Sequence, residues 1–364
     1  MCRKKHSITS QPVKAIPELI VKSRKINSPA IIYSRKVLND NLNIFLSSLK
    51  TVNNKVHLLY AVKACTNSEV IREMATKVTG FSVSSDEEYN LVQRYNKVIS
   101  ATGFGYRRYP QNDRNCIFYF NSLSQLKCYL NNKDNYIAAK IGIRIRSPKT
   151  LFSKSVTSSR FGFTLKQIKL LKDLKKIYNF EVSSILIHQE NKVFDDVNEL
   201  KCFIAKILRK SEFQTVNSIN LGGGWDNLFL KKQISKFINN LEIPKQYDIY
   251  IEPGSALVRT IGILKATVID ESIEDNIRTI TLNTSQFNNS SWYVPKIVAY
   301  KKEGLKKLDT YVYGNTCYEK DYFGKYTSTL ISLNSDVIMY PVGAYYFTTH
   351  RELHGLSFPK EYCI

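Results

Sequence analysis

No stretch of about 18 uninterrupted apolar residues occurs in the 364-residue chain, so no membrane-spanning helix is expected. Nor does an apolar stretch of signal-peptide length follow the basic start Met1-Cys2-Arg3-Lys4-Lys5-His6, which leads to the expectation of a cytoplasmic protein. The seven cysteines (positions 2, 65, 116, 128, 202, 317 and 363) contain no CxxC pair. That argues against a zinc ribbon and against a disulfide framework. The five histidines form no HExxH, and no helix is evident around His350 and His354, so no metal site is expected. Acids are scarce: 31 Asp and Glu stand against 53 Lys and Arg, for a net charge of +22. Such an excess suits nucleic acid, an anionic surface or an acidic substrate. The basic residues are spread over the whole length, however, without a stripe of interleaved aromatics and without a nucleic-acid module motif. Lys, Asn, Ile and Tyr are abundant together, so the charge is taken as coding bias, with neither nucleic acid nor a membrane as an expected partner.

What is present is a globular composition, 43% hydrophobic and 23% charged, in a chain long enough for more than one domain. Short apolar runs alternate with helical patterns. Val56–Val62, Gly80–Ser84, Lys97–Ala101, Ile117–Phe120, Ala138–Ile145, Val182–His188, Ser218–Leu221 and Asp248–Glu252 are expected strands. Helical patterns lie between them, among them Ser68–Lys77 with Val70, Ile71, Met74 and Ala75 inward, Leu165–Tyr178, Asp195–Lys210 and Leu228–Asn239. This β-then-α spacing over about 220 residues predicts parallel strands with helical crossovers closing into a (β/α)8 TIM-type barrel. The helix over Val37–Leu49 opens it, and the barrel is expected over 38–258. After Pro253-Gly254 the pattern turns to strands with few helices: Leu257–Ile269, Thr279–Asn283, Lys296–Tyr300, Tyr311–Tyr313 and Asp336–Pro341. An all-β domain from 259–364, completed by 1–37 with a strand at Pro29–Tyr33, is the expectation for the remainder.

In such a barrel the strand C-termini converge on one face, which holds the active site. Four strands deliver functional groups there. Lys63 ends the run before Ala64-Cys65, His188 ends Ser184-Ile185-Leu186-Ile187, Gly222-Gly223-Gly224 follows Ile219-Asn220-Leu221, and Glu252 ends Ile249-Tyr250-Ile251. Each has an ordinary alternative: Lys63 snorkelling to water, His188 as a structural histidine, the glycines as a tight turn, Glu252 as a cap or the partner of a surface lysine. Together they fit pyridoxal phosphate. A buried, desolvated Lys63 would titrate low and hold the aldehyde covalently. His188 would stack on the ring, the glycine N–H groups would cradle the phosphate, and Glu252 would keep the pyridine nitrogen protonated.

With these residues in place, the chain resembles the fold-type III pyridoxal-phosphate enzymes, the alanine racemase-like barrel group that includes ornithine, diaminopimelate and carboxynorspermidine decarboxylases. The resemblance runs from about Pro29 onward, through Tyr60-Ala61-Val62-Lys63-Ala64, Val83-Ser84-Ser85 with Glu88, Ser159-Arg160-Phe161-Gly162, the strand ending at His188, Leu221–Gly224, Glu252-Pro253-Gly254, Gly314-Asn315-Thr316-Cys317 and Gly343-Ala344-Tyr345. It implies a homodimer with shared active sites, in which Cys317 enters the partner's site and returns a proton after CO₂ leaves. The alternative for Cys317 is a small buried apolar filler. It also implies that Gly254 and Tyr345 touch the cofactor, Tyr345 at its phosphate, and that Asp321 crosses the dimer interface with Arg160 as an ionic partner. Asn115–Leu126, Leu282–Ser285 and Cys317–Tyr326 are similar to the carboxynorspermidine branch. Several positions depart from the group: Ser255 stands where an arginine holds phosphate or substrate, Gln189-Glu190 where small residues are usual, Ser82 where an acid is common, and Asn315 where proline is frequent. The expected activity is decarboxylation of a basic or polyamine-like amino acid to an amine and CO₂, for polyamine or siderophore synthesis. The alternative is an amino-acid racemase or epimerase of the same fold.

Overall fold

The structure, a computed structural model, describes residues 16–106, 114–132, 140–148, 159–288, 292, 294–300 and 303–364. It divides into two compact units, Asn39–Val258 and a second formed by Met1–Leu38 with Arg259–Ile364.

A first strand, Ala30–Tyr33 (β1), belongs to the second unit. The first unit is a closed barrel of eight strands. In order they are Val56–Ala61 (β2), Gly80–Ser85 (β3), Val98–Gly105 (β4), Cys116–Phe120 (β5), Lys140–Ile145 (β6), Ser184–Ile187 (β7), Ser218–Asn220 (β8) and Asp248–Ile251 (β9). Every neighbouring pair is parallel, and Val56 opposite Ile249 closes the ring. Parallel strands covered on both faces read as continuous apolar runs, and β5 and β7 are buried at every position. Gly80 marks one close approach: a Cβ there would lie 2.0 Å from the carbonyl oxygen of Val98, across the pair Gly80–Val98.

The crossover helices start on side-chain caps. Asn67 Oδ1 accepts from the amides of Glu69 and Val70 ahead of Ser68–Ala75, whose buried residues are Val70, Ile71, Met74 and Ala75. Thr164 and Gln167 form a reciprocal capping pair. Two expected helices are each split. Leu165–Tyr178 divides at Leu170, and Leu228–Asn239 becomes Asp226–Leu230 and Ile234–Asn240 around Lys232, which takes a φ of 55°.

The second unit carries an eight-stranded sheet. Its strands are β1, Gly262–Glu274 (β10), Ile277–Leu282 (β11), Lys296–Tyr300 (β12), Glu303–Tyr313 (β13), Tyr322–Leu330 (β14), Asp336–Tyr340 (β15) and Lys360–Cys363 (β16). The order is β12-β15-β10-β11-β13-β14, with β1 between β10 and β16. The long β10 is the spine, pairing antiparallel with β1, β11 and β15. Leu19, Ala30, Ile32, Ile263 and Ile338 pack into one of its cores. One expected strand is corrected. Leu257–Ile269 begins as a helix over Ser255–Val258 and a 3₁₀ turn over Arg259–Ile261, and the strand starts at Gly262. The carbonyl of Gly254 accepts from Leu257 and Val258, which winds that segment first. Beyond β11, Gln286–Asn288 is a 3₁₀ turn, and 289–291 and 293 lie outside the described residues.

Candidate active site

The residues that follow β7, β8 and β9 are joined by hydrogen bonds at the C-terminal mouth of the barrel. Glu252, 6% exposed, places Oε1 against the hydroxyl of Ser100 at 2.5 Å and the amide nitrogen of Asn220 at 2.7 Å. Ser100 lies on β4 and Asn220 ends β8, so two strands orient one carboxylate. Oε2 of Glu252 receives no hydrogen bond among the described residues. Asn220 Oδ1 in turn accepts from Gly222 N–H at 2.8 Å, and Gly222 O accepts from Glu252 N–H at 2.9 Å. His188 Nδ1 accepts from Gly223 N–H at 3.1 Å. Burial, reinforced by the charges of Arg144, Lys192 and Lys63, holds the imidazole well below its usual range. His188 is therefore neutral with its proton on Nε2, the tautomer that the Gly223 amide dictates.

This network corrects one expectation. The amides of Gly222 and Gly223 already serve Asn220 and His188, so only Gly224, at a φ of 81°, keeps its N–H without a partner among the described residues. A Cβ on Gly254 would stand 2.9 Å from that of Ala64, so this glycine lets the turn after β9 pack against the turn that carries Lys63.

Lys63 itself is corrected in a second way. The strand stops at Ala61, and Val62–Ala64 is a 3₁₀ turn with Val62 and Ala64 buried and Lys63 exposed. Its charge nevertheless reaches the site, opposing the burial that raises Glu88 and helping to depress His188. Glu88 is fixed by accepting from Ser84 N–H at 2.7 Å. Ser82, where an acid was looked for, is buried.

The second unit holds the other expected residues. Cys317 is exposed, which removes the apolar-filler alternative, and its N–H donates to His354 Nε2 at 3.3 Å. Asp321, 1% exposed, has both carboxylate oxygens hydrogen-bonded within the second unit. Oδ1 accepts from Gln286 N–H at 2.8 Å, and Oδ2 from the N–H and hydroxyl of Thr316 at 3.2 and 2.7 Å. Tyr345, half-buried, adopts a φ of 63° and meets Trp292 edge-on at 4.2 Å. In the barrel unit Arg160 is exposed and lies over the rings of Phe104 and Phe161. No cluster of metal-ligating side chains occurs among the described residues.

Sequence inspection missed Ser100, Asn220, Arg144 and Lys192. The first two carry a signal, a polar residue inside an apolar strand just before the rim. Arg144, on β6, lies over Phe161 at 4.5 Å, and burial lowers it to about 10. Lys192 is fully enclosed, donates to the carbonyl of Gly223, and is lowered by burial to about 7, with the charge of Glu252 opposing. An unfolded lysine titrates near about 10.4. Between these values the unfolded chain binds a proton that the folded protein does not, so stability rises with pH across that window. We expect urea unfolding of the apoprotein to show stability rising between pH 7 and 9 by on the order of 1 kcal/mol per pH unit, and Lys192→Met to flatten that slope.

A tethered carboxylate, a neutral imidazole, a free amide on a positive-φ glycine and a lysine-bearing turn on one barrel rim are a donor set suited to pyridoxal phosphate. Residues 39–259 match the sequence family described as pyridoxal-dependent decarboxylase, pyridoxal binding domain. The chain belongs to this family. It is accordingly a pyridoxal-phosphate-dependent decarboxylase. No curated protein matches its sequence. By fold it is similar to the arginine decarboxylase of Paramecium bursaria Chlorella virus, with 18% identity, a TM-score of 0.78, and 96% of this chain and 100% of that one covered. The diaminopimelate decarboxylase of M. jannaschii gives 19%, 0.81, 94% and 88%. The carboxynorspermidine decarboxylase of Campylobacter jejuni gives 18%, 0.72, 93% and 94%. No helix among the described residues is long and apolar enough to cross a membrane.

Proposed function

We propose that this decarboxylase acts on an amino acid bearing a second, distal basic group, in polyamine-related or siderophore metabolism. The observation that carries the reading is Glu252, held by Ser100 and Asn220 at the rim of a barrel that matches the pyridoxal-binding family. The structurally similar enzymes named above act on arginine, diaminopimelate and carboxynorspermidine, all with distal nitrogen. When bound, the cofactor draws electron density from the substrate α-carbon into its ring. In this reading Lys63 anchors it, and neutral His188 packs on it without adding charge. Glu252 holds a proton at the ring nitrogen, Gly224 N–H and Tyr345 serve the phosphate, and Cys317 returns a proton to the substrate carbon. Cys317 stands exposed on a loop whose turn is fixed by Asp321, as delivery into a neighbouring subunit of a homodimer requires. The racemase alternative gains no support from the family match.

The test is CO₂ and amine release, with pyridoxal phosphate present, from L- and D-ornithine, lysine, arginine, diaminopimelate and carboxynorspermidine. Release from one of these is expected. Exchange of the α-hydrogen with solvent and no CO₂ from any would overturn the reading in favour of racemisation.

A further inference from the structure

Lys192 lies four residues beyond His188, and both ends of the residue are bound to the glycine turn. Its backbone N–H donates to Gly224 O at 2.8 Å. Its ammonium donates to Gly223 O and stands 4.9 Å over the ring of buried Trp225, at 0% exposure. An ammonium has three donors, and the Gly223 carbonyl is its one acceptor among the described residues. On the same segment Gln189, also at 0% exposure, has neither side-chain amide atom hydrogen-bonded. Gly224 N–H, at the other end of the peptide whose carbonyl holds Lys192, is likewise without a partner among the described residues. A desolvated cation is costly to keep charged unless an anion stands near enough to compensate it through space. Lys192 is the one cation hydrogen-bonded to Gly222, Gly223 or Gly224 among the described residues. Ser255 is neutral and supplies no charge in its place, and its hydroxyl already donates to Asp226 Oδ2 at 2.6 Å.

We propose that Lys192 is the counter-cation of the cofactor phosphate, acting across the trans Gly223–Gly224 peptide: its ammonium is held at the Gly223 carbonyl on one side, and the phosphate would be received at the Gly224 N–H on the other. The inference rests on the cofactor reading of this rim. Before the anion arrives, burial keeps Lys192 partly neutral near pH 7, with Glu252 and neutral His188 as the titratable groups facing it. A phosphate dianion would favour the ammonium, so proton uptake should accompany phosphate binding above pH 7.

The experiment titrates the apoprotein with pyridoxal phosphate and with pyridoxal, which lacks the phosphate. In Lys192→Met we expect the affinity for pyridoxal phosphate to fall about 10- to 100-fold and that for pyridoxal less than about threefold. Lys192→Arg should recover most of the loss. Calorimetry of the wild type at pH 8, in buffers of different ionisation heat, should show about one more proton taken up with pyridoxal phosphate than with pyridoxal. That measurement decides alone if Lys192→Met does not fold. Equal weakening of both aldehydes, or equal proton uptake, would overturn the inference and leave the cofactor reading standing. Failure of the wild type to bind either aldehyde would overturn the cofactor reading and the inference with it.

Discussion

Lys63→Ala should abolish the absorbance band of the lysine-bound cofactor and lower decarboxylation by roughly 10⁴-fold, the scale of removing a covalent catalytic group. The expectation comes from how rigidly the residue is presented. Ala61 N–H donates to Pro253 O at 3.1 Å, Cys65 N–H to Val62 O at 3.1 Å, and the hydroxyl of buried Tyr60 to Cys65 O at 2.9 Å. Val62 and Ala64 are buried on either side, with Gly254 packed against Ala61 and Ala64. The turn is therefore held by its backbone and its neighbours. The exposed lysine side chain contributes little to the fold, so the substitution should change unfolding free energy by less than about 0.5 kcal/mol. An intact band in Lys63→Ala would show that another amine carries the cofactor and that the barrel rim has been assigned wrongly.

The barrel was legible because its strands are short apolar runs separated by amphipathic helices, and burial on both faces leaves little else for Cys116–Phe120 or Ser184–Ile187 to be. The second unit was less so. In Leu257–Ile269 an apolar run hides a change from helix to 3₁₀ turn to strand, since periodicity cannot separate buried helix from buried strand. β14 escaped notice because Tyr-Phe-Gly-Lys-Tyr-Thr-Ser-Thr-Leu alternates weakly and carries Gly324 at a φ of 139°. β16 is four residues long and has no fully buried position.

Within the site, the positions after β2, β7, β8 and β9 were legible because topology alone brings strand ends together. Their surroundings were not. Whether Lys63 is buried depends on where β2 stops, and the 3₁₀ turn begins one residue too late in the apolar run to be seen there. Gly222–Gly224 suggested three open amides, but two are claimed, one by Asn220 at the end of the same strand and one by His188 beyond the neighbouring strand. Lys192 sits in Gln189-Glu190-Asn191-Lys192, a polar stretch that reads as solvated. Only the wrapping of that segment over Gly224, where a Cβ would strike Gln189 O at 2.5 Å, encloses it.

Glu252→Gln separates electronic from covalent function, and it should cost about 10²- to 10³-fold in turnover while leaving the Lys63-dependent band in place. The glutamine retains an acceptor at the Oε1 position, so Ser100 at 2.5 Å and Asn220 at 2.7 Å keep their partner. Asn220 then continues to accept from Gly222 N–H, and the glycine turn keeps its shape. What disappears is the negative charge at the second oxygen. A ring nitrogen facing a neutral amide has no reason to stay protonated, and its capacity to take up electron density falls accordingly. The same charge also supports Lys192 and Arg144, both of which it shifts upward against the effect of burial. Glu252→Gln should therefore lower the Lys192 ammonium further and extend the rise of stability with pH to values below 7. Turnover within a few-fold of wild type would show that Glu252 orients the turn without tuning the ring. Loss of the band together with activity would show that the carboxylate is needed to build the rim.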